Sequence, residues 1–582
     1  MMMKVPWIPA PFATCSFVLS LVLRARSQNY GVIAQQTTFE SLRVRAEECC
    51  NRLKAILPPS RVFFASDPSY QTQQSSYYSA SQGSLTPTCR VSPRSADEVS
   101  KILEMATREE EEEEEEEERQ GEDGGGCHFA VRTGGHMSWS GASNIGLEGF
   151  TIDLQGLMLE TEEGQGQGEE RGSDVRAKLS KDNKVVSISA GARWRDVYSV
   201  LKPENLTTVG GRVGDVGVSG FLLGGGIGFL SAEHGFGSDS VVNYEVVLSN
   251  GSIVHANSAS HPSLYWALKM GSTNYGIVTR FDMMTYAQGP VWGGSQFYFI
   301  EQAPKLLDKL VKFTEKLDSD PKAFWGLSMA WNPATKDYMI WTLQTYLKPE
   351  PYPSPLWDDF AVMVKDTTTE PLVDMMGIKN LVDITEEFQD ADPGKHGRSR
   401  WLSMTYRPNA RFHLDLHTKG IELFEPYHDH PGVHWAVSIQ PIPKRFASGR
   451  ASLTNGGNPS CLQEGNGDLW VMLITTDWLD PADDEVMNSN AETLLKWAED
   501  EARRRGLFHS FIYPNYASGS QSVIERSTDP EALRKIQEIK RVYDPNRILD
   551  KLWHGGFKIP LDTNEEEEEV KDWIYDTSRT EL

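Results

Sequence analysis

Two stretches decide the reading of this 582-residue chain. They are Phe129-Ala130-Val131-Arg132-Thr133-Gly134-Gly135-His136 and Gly217-Val218-Ser219-Gly220-Phe221-Leu222-Leu223-Gly224-Gly225-Gly226-Ile227-Gly228. The first is a short buried strand running into a Gly-Gly-His turn. The second is a glycine-dense loop further along. Glycine lets the backbone reach positive φ and approach a ligand closely. Successive backbone N–H groups in such turns form an anion nest suited to a pyrophosphate. The pair therefore predicts a backbone cradle for a large phosphate-bearing cofactor. Neither loop has the GxGxxG spacing of a strand-turn-helix dinucleotide unit, so a Rossmann domain is not expected.

Around these loops the chain reads as mixed strands and helices. Ser95-Ala96-Asp97-Glu98 is a capping box that opens a helix through about Ala106. The ten consecutive glutamates Glu109 to Glu118 and the stretch Gly121 to Gly126 follow it. Adjacent carboxylates repel one another and bury nothing, so a solvated insertion is expected there. Glu162 to Asp182 reads as a second polar, Gly-rich insertion. Phe150 to Leu154, Val185 to Ala190 and Gly276 to Thr279 are predicted strands, and Trp194 to Leu201 and Leu264 to Leu268 are predicted helices. Val241 to Leu248 and Ile253-Val254 form a predicted hairpin around Asn250-Gly251. After about Pro290 aromatics and prolines become denser. Alternation in Trp435 to Ile439 and Leu469 to Thr475 predicts an antiparallel sheet. A helix is expected near Pro530 to Val542, and an acidic, mobile tail after Pro560.

Composition narrows the function classes. The net charge is −25, but the run at Glu109 and five more glutamates at Glu565 to Glu569 supply most of it. Without those fifteen the balance is about −10, ordinary for a soluble protein of this size. An acidic chain is poorly suited to nucleic acid, which demands phosphate neutralisation. Lys4, an apolar stretch from Val5 to Leu23, and Arg24-Ala25-Arg26-Ser27 read as a secretory signal cleaved near Ser27. The alternative is a short membrane anchor, but the apolar run is short for a span of about 20 residues. The six cysteines are 15, 49, 50, 89, 127 and 461. Cys15 leaves with the signal, and one disulfide is expected, joining Cys49 or Cys50 to Cys89. No spacing suggests a metal site. Asn205-Leu206-Thr207 and Asn250-Gly251-Ser252 are glycosylation sequons.

The ordered set of motifs resembles the flavin domain of the vanillyl-alcohol oxidase and p-cresol methylhydroxylase superfamily. It comprises the two glycine loops, Thr151-Ile152-Asp153-Leu154, Leu264-Tyr265-Trp266-Ala267-Leu268 and Gly276-Ile277-Val278-Thr279. Tyr513-Pro514-Asn515-Tyr516, followed by Tyr543-Asp544-Pro545-Asn546, narrows the resemblance to berberine-bridge-enzyme-like FAD-linked oxidoreductases, of the fungal secondary-metabolism type. The resemblance implies an α+β fold: a two-part flavin domain at 28–289, a substrate domain at 290–507 with an antiparallel sheet backed by helices, and a segment at 508–560 that returns to the flavin domain. It implies FAD bonded to His136. Arg132, Thr133, Gly134, Gly135, Met137 and Ser138 would wrap the pyrophosphate, and Ser143 and Asn144 would continue that wrap. Gly217, Val218, Ser219, Gly220, Gly224, Gly225 and Gly226 would pass close to the flavin and its phosphates. Ile277 and Val278 match positions near the adenosine half, and Asn515 and Tyr516 the segment that returns to the flavin. Doubly tethered members carry a Cys four residues before Gly217, and Val213 stands there. A single His tether is therefore expected.

Oxidation at carbon often requires a group that takes a hydroxyl or amine proton. Tyr516 is the first candidate, with Tyr513 and Tyr406 as alternatives; a tyrosine serves as base only when something beside it, such as a cation, favours its ionised form. Trp435 to Gln440 are candidates for the substrate pocket. His234, His255, His261 and His554 lack ligand spacing and are read as structural. The expected protein is a secreted or secretory-pathway oxidase, monomeric, acting on a small molecule and returning electrons to O2 as hydrogen peroxide. Two other readings remain open: a carbohydrate oxidase, and a flavin-fold binding protein without catalysis.

Overall fold

The computed structural model describes residues 40–120, 126–159, 175–351, 370–390, 396–448 and 455–560. The Phe129–Arg132 strand is buried at all four positions and lies between Phe150–Asp153 and Trp553–His554, parallel to both. Strands covered on both faces read as continuous apolar runs, which is why this one shows no alternation. Cys89–Val91 and Val62–Phe63 complete a five-stranded sheet. A second, antiparallel sheet is built from Ala177–Leu179, Val185–Ser189, Ile277–Met284, Val241–Val247 and Ile253–Asn257. Its hairpin turns at Asn250-Gly251, where Gly251 has φ +81°. Helices Trp194–Leu201, Val218–Leu223 and Pro262–Leu268 share one core with both sheets.

The rest of the chain forms a nine-stranded antiparallel sheet. Its central order is Val291–Phe299, Asp337–Tyr346, Ala323–Asn332, His434–Ile442, Leu469–Trp478 and Arg398–Tyr406. One face packs against helices Ala303–Leu317, Ala410–Phe424 and Asp484–Arg504. Strand period two separates the faces. Trp435, Val437 and Ile439 enter that core, while His434, Ala436 and Ser438 line a cavity on the other side. The architecture is thus α+β.

The segment after Leu507 ties the two halves together. Phe508–His509 is an edge strand on Arg398–Tyr406, and Trp553–His554 is an edge strand on Phe129–Arg132. Between them runs the helix Pro530–Tyr543.

Three expectations are corrected. The helix from Ala96 runs to Gln120 and takes in the poly-Glu run instead of ending near Ala106. Glu is a good helix former, and a helix anchored by buried Val99, Ile102, Leu103 and Ala106 propagates without a new nucleation step. The predicted insertion at Glu162 to Asp182 contains the strand Ala177–Leu179, paired with Val185–Ser189. Among the described residues there are two disulfides, Cys50–Cys89 and Cys49–Cys127, so both adjacent cysteines are used, and Cys461 is free. The predicted signal and the acidic tail after Pro560 lie outside the described residues. Among the described residues no helix is long and apolar enough to cross a membrane, and no group of side chains is arranged to hold a metal.

Candidate active site

A cavity of about 360 Å³ opens where the two glycine loops face the large sheet. The loops meet each other first. A Cβ added at Gly134 would lie 2.5 Å from Gly217 N, and one at Gly217 would lie 2.4 Å from Gly134 N. Only residues without a side chain allow the two backbones to pass this closely. From this crossing Thr133, Gly134, Gly135, His136, Met137 and Ser143 line the cavity on one side. Gly217, Ser219, Gly220 and Gly224 line it on the other, joined by Ile277 and Val278. His136 stacks on Tyr78 with ring centroids 4.2 Å apart, and Trp401 lies 6.1 Å away.

Other predicted cofactor residues stand behind the wall. Arg132 is fully buried and does not line the cavity. Its guanidinium bonds Asp153 at 3.1 Å, donates to the Gln73 and Ser76 carbonyls, and covers the Tyr77 ring. It fixes the base of the loop rather than reaching a phosphate. The Asn144 side chain is consumed by Arg90, Thr151 and the carbonyls of Gln82 and Leu85. Ser138 and Val218 are buried off the cavity. Gly225 and Gly226, at φ +93° and +83°, turn the chain after the cavity rather than lining it.

The Tyr513–Tyr516 segment closes the cavity. Asn515 Nδ2 donates to the carbonyls of Gly220 and Phe221, at 3.3 and 3.0 Å. Its Oδ1 is buried at the wall with no protein partner. A Cβ on Gly224 would come 2.2 Å from that oxygen, so Gly224 is what lets Asn515 seat. Tyr516 lines the cavity, and Arg212 Nη2 donates to its hydroxyl at 2.7 Å. Tyr513 also lines it, but its hydroxyl accepts the Ile227 N–H at 2.7 Å, and burial pushes its pKa upward. That tyrosine is a buried anchor for the second glycine loop. Tyr406 is no part of the site: it is fully buried in the helix-backed core, its hydroxyl meets His413 Nδ1 at 2.7 Å, and burial raises its pKa far above the ordinary value. The predicted Trp435 to Gln440 stretch contributes by alternate residues only, as strand geometry requires.

Several cavity residues escaped the sequence. Arg212 sits beside Val213 in the short loop before Gly217, and both line the cavity. Tyr78, Trp341 and Trp401 come from separate elements with no local signal. His434 precedes the alternating stretch that the sequence marks from Trp435, and it begins the strand in the structure. Its Nδ1 lies 2.9 Å from Asp477 Oδ2, and Ser399 Oγ donates to Asp477 Oδ1 at 2.6 Å.

These features fit FAD. The touching glycines leave a bare backbone cradle, an unpartnered amide oxygen waits at its edge, and a histidine stands inside it. The FAD binding domain family matches residues 87–257. The FAD-dependent monooxygenase prx3 of Penicillium roqueforti is 33% identical over 487 residues, covering 81% of this chain and 86% of that protein. The FAD-dependent monooxygenase drtC of Aspergillus calidoustus is 31% identical over 519 residues, 88% of this chain and 90% of that protein. Among solved structures, 6-hydroxy-D-nicotine oxidase of Arthrobacter nicotinovorans shares the fold at TM-score 0.65 and 17% identity, over 86% of this chain and 97% of its own. The xylooligosaccharide oxidase of Myceliophthora thermophila does so at TM-score 0.61 and 17% identity, over 87% and 98%.

Proposed function

The chain belongs to the berberine-bridge-enzyme-like FAD-linked oxidoreductases of the vanillyl-alcohol oxidase and p-cresol methylhydroxylase superfamily, and from that premise we propose that it is an oxidase of a small secondary-metabolite alcohol, amine or activated C–H compound. The observation that carries this reading is the single cavity shared by the glycine loops, His136 and the Tyr516–Arg212 pair. Bound FAD supplies the two-electron acceptor, and O2 restores it, so that an alcohol and O2 leave as a carbonyl compound and hydrogen peroxide.

The chain's own residues have distinct tasks. Thr133 to Met137 and Gly217, Ser219 and Gly220 would hold the cofactor, largely by their backbones, and Ile277 and Val278 bound the same space. His136 is assigned as the sole covalent attachment, because Val213, a cavity residue, cannot form a second, thioether bond. We assign Tyr516, whose phenolic oxygen accepts from Arg212 Nη2 at 2.7 Å, as the group that takes the substrate proton. The large sheet and the aromatic side chains Trp341, Phe388 and Trp401 exclude water from the substrate. Two disulfides support a secretory location, since such bonds persist in oxidising compartments.

Acid precipitation of the purified protein tests the attachment. Flavin that stays with the wild-type pellet and washes free from His136→Ala supports it, and a colourless wild-type pellet overturns it. The names of the two fungal relatives favour a second reading, a monooxygenase. Turnover under 18O2 separates the two. An oxidase releases one peroxide per O2 with no label from O2 in the product, whereas a monooxygenase places one labelled oxygen in the product and requires an added reductant.

A further inference from the structure

The cavity side of the large sheet is a floor built in register. One row across the strands runs Trp341, Ser328, Ser438 and Leu473. The next runs Ala330, Ala436, Thr475 and Trp401. The third runs His434, Asp477 and Ser399. The floor side chains between the two tryptophans are nearly all small. Their strands stand four spacings apart, about 19 Å, and Phe388 extends the Trp341 wall with ring centroids 4.7 Å apart. A floor of mostly small side chains between aromatic walls fits a planar ring system, which stacks on aromatic side chains in offset or edge geometry.

The third row gives the slot one polar end. Asp477 is 2% exposed and, as a carboxylate, only accepts hydrogen bonds. It takes the Ser399 hydroxyl at 2.6 Å and His434 Nδ1 at 2.9 Å. The proton of the neutral imidazole is therefore on Nδ1, which makes Nε2 an acceptor. His434 lines the cavity while Asp477 does not. Among the described residues it is also the only titratable side chain that the sheet contributes to the cavity wall.

We propose that this slot binds a planar, hydroxylated aromatic ring whose hydroxyl donates to His434 Nε2, with Asp477 and Ser399 fixing the ring's tautomer. The proposal rests on the reading of this cavity as the substrate site, and it names the substrate class of that site. In it His434 recognises the substrate hydroxyl and Asp477 is a positioning residue.

Calorimetric titration of the holoenzyme at pH 8 with 2-naphthol and 2-methoxynaphthalene is the test. The two probes share a ring system, and only the first has a hydroxyl to donate. The wild type is expected to prefer 2-naphthol by about three- to tenfold, the worth of one neutral hydrogen bond. His434→Phe should bind both alike and keep its affinity for the methoxy compound. The double variant His434→Phe/Asp477→Asn, which leaves no unpaired carboxylate, should do the same if the single variant folds poorly. Ala436→Leu, which raises the floor, should weaken both probes by more than tenfold. Equal binding of the two probes by the wild type, a preserved preference in the histidine variants, or unaltered binding in Ala436→Leu overturns the proposal. Binding is read without turnover, so a chain that binds 2-naphthol as described but never releases peroxide refutes the oxidase reading and leaves the slot standing.

Discussion

Gly134→Ala and Gly217→Ala probe the crossing on which the site depends. The first places a carbon 2.5 Å from Gly217 N and 2.6 Å from its Cα, and the second places one 2.4 Å from Gly134 N. Ordinary contact lies near 3.5 Å, so either change asks the loops to part by about 1 Å. The obstructing atoms are backbone, and no side chain can swing away. The Phe129–Arg132 strand holds one loop and the Val218–Leu223 helix holds the other. Overpacking of this kind costs about 1–3 kcal/mol. The same displacement widens the cradle, so flavin content should fall with stability. Both substitutions require the same separation, so the second costs little once the first is made, and the double variant should fall short of additivity by about 0.5–3 kcal/mol. Denaturant unfolding and the ratio of 450 to 280 nm absorbance measure the two effects. Gly289→Ala, where an added carbon meets nothing within 4 Å, is the control. Wild-type stability and flavin ratio in either single variant, or strict additivity in the double, would refute the reasoning.

Tyr516→Phe should lower kcat by about 10²- to 10⁴-fold with flavin content unchanged, whereas Tyr406→Phe, remote from the cavity, should leave kcat near wild type; equal losses in a stopped assay of both variants would reverse the assignment. Burial holds the pKa of His413 down to about 3, helped by neighbouring His417, and that of His417 down to about 4. The unfolded chain therefore binds protons first, and stability is full above pH 6.5 and falls as pH drops toward 3–4. Between pH 7 and 5 each histidine should account for a loss of about 2 kcal/mol, and His417→Leu should remove its share in denaturant titrations at the two pH values; an unchanged loss contradicts this. Replacing Cys49 and Cys127 together by serine should destabilise the fold by about 2–5 kcal/mol, read as a lower melting temperature, and an unchanged melt would show the bond to be dispensable.

What was legible in the sequence follows from how local each signal is. A strand entering a Gly-Gly-His turn, a hairpin at Asn250-Gly251 and the alternation around Trp435 are written in adjacent residues, and the structure places them where those patterns point. Arg132 and Asn144 show the limit. Their residue types suit a phosphate, but whether a buried guanidinium or amide faces ligand or protein depends on Gln73, Ser76, Gln82 and Asp153, which sequence alone does not bring near. The poly-Glu run misled for a different reason. Its charge predicts solvation, and an expectation of solvation does not exclude a helix anchored by buried residues upstream. The second disulfide was missed because Cys127 lies beyond that run, and only the parallel pairing of Cys89–Val91 and Phe129–Arg132 to their common neighbour Phe150–Asp153 brings Cys89 and Cys127 to the adjacent Cys50 and Cys49.

The site also explains why its catalytic candidate lies so late in the chain. The crossing of the two loops is bare backbone at Gly134 and Gly217 and offers no side chain there to move a proton. The opposing sheet floor carries mostly small side chains between Trp341 and Trp401. A third element reaches the seam without belonging to either wall and adds a phenol to it. The Tyr513–Tyr516 turn does this. Tyr513 is anchored by the Ile227 N–H, Asn515 by the carbonyls of Gly220 and Phe221, and the strands on either side of the turn are pinned to opposite sheets at Phe508–His509 and Trp553–His554. Tyr516 is thereby held against Arg212 by contacts to both halves. Any shift of one half against the other moves the tyrosine relative to its cation, so the same contacts that join the domains also set the Tyr516–Arg212 geometry.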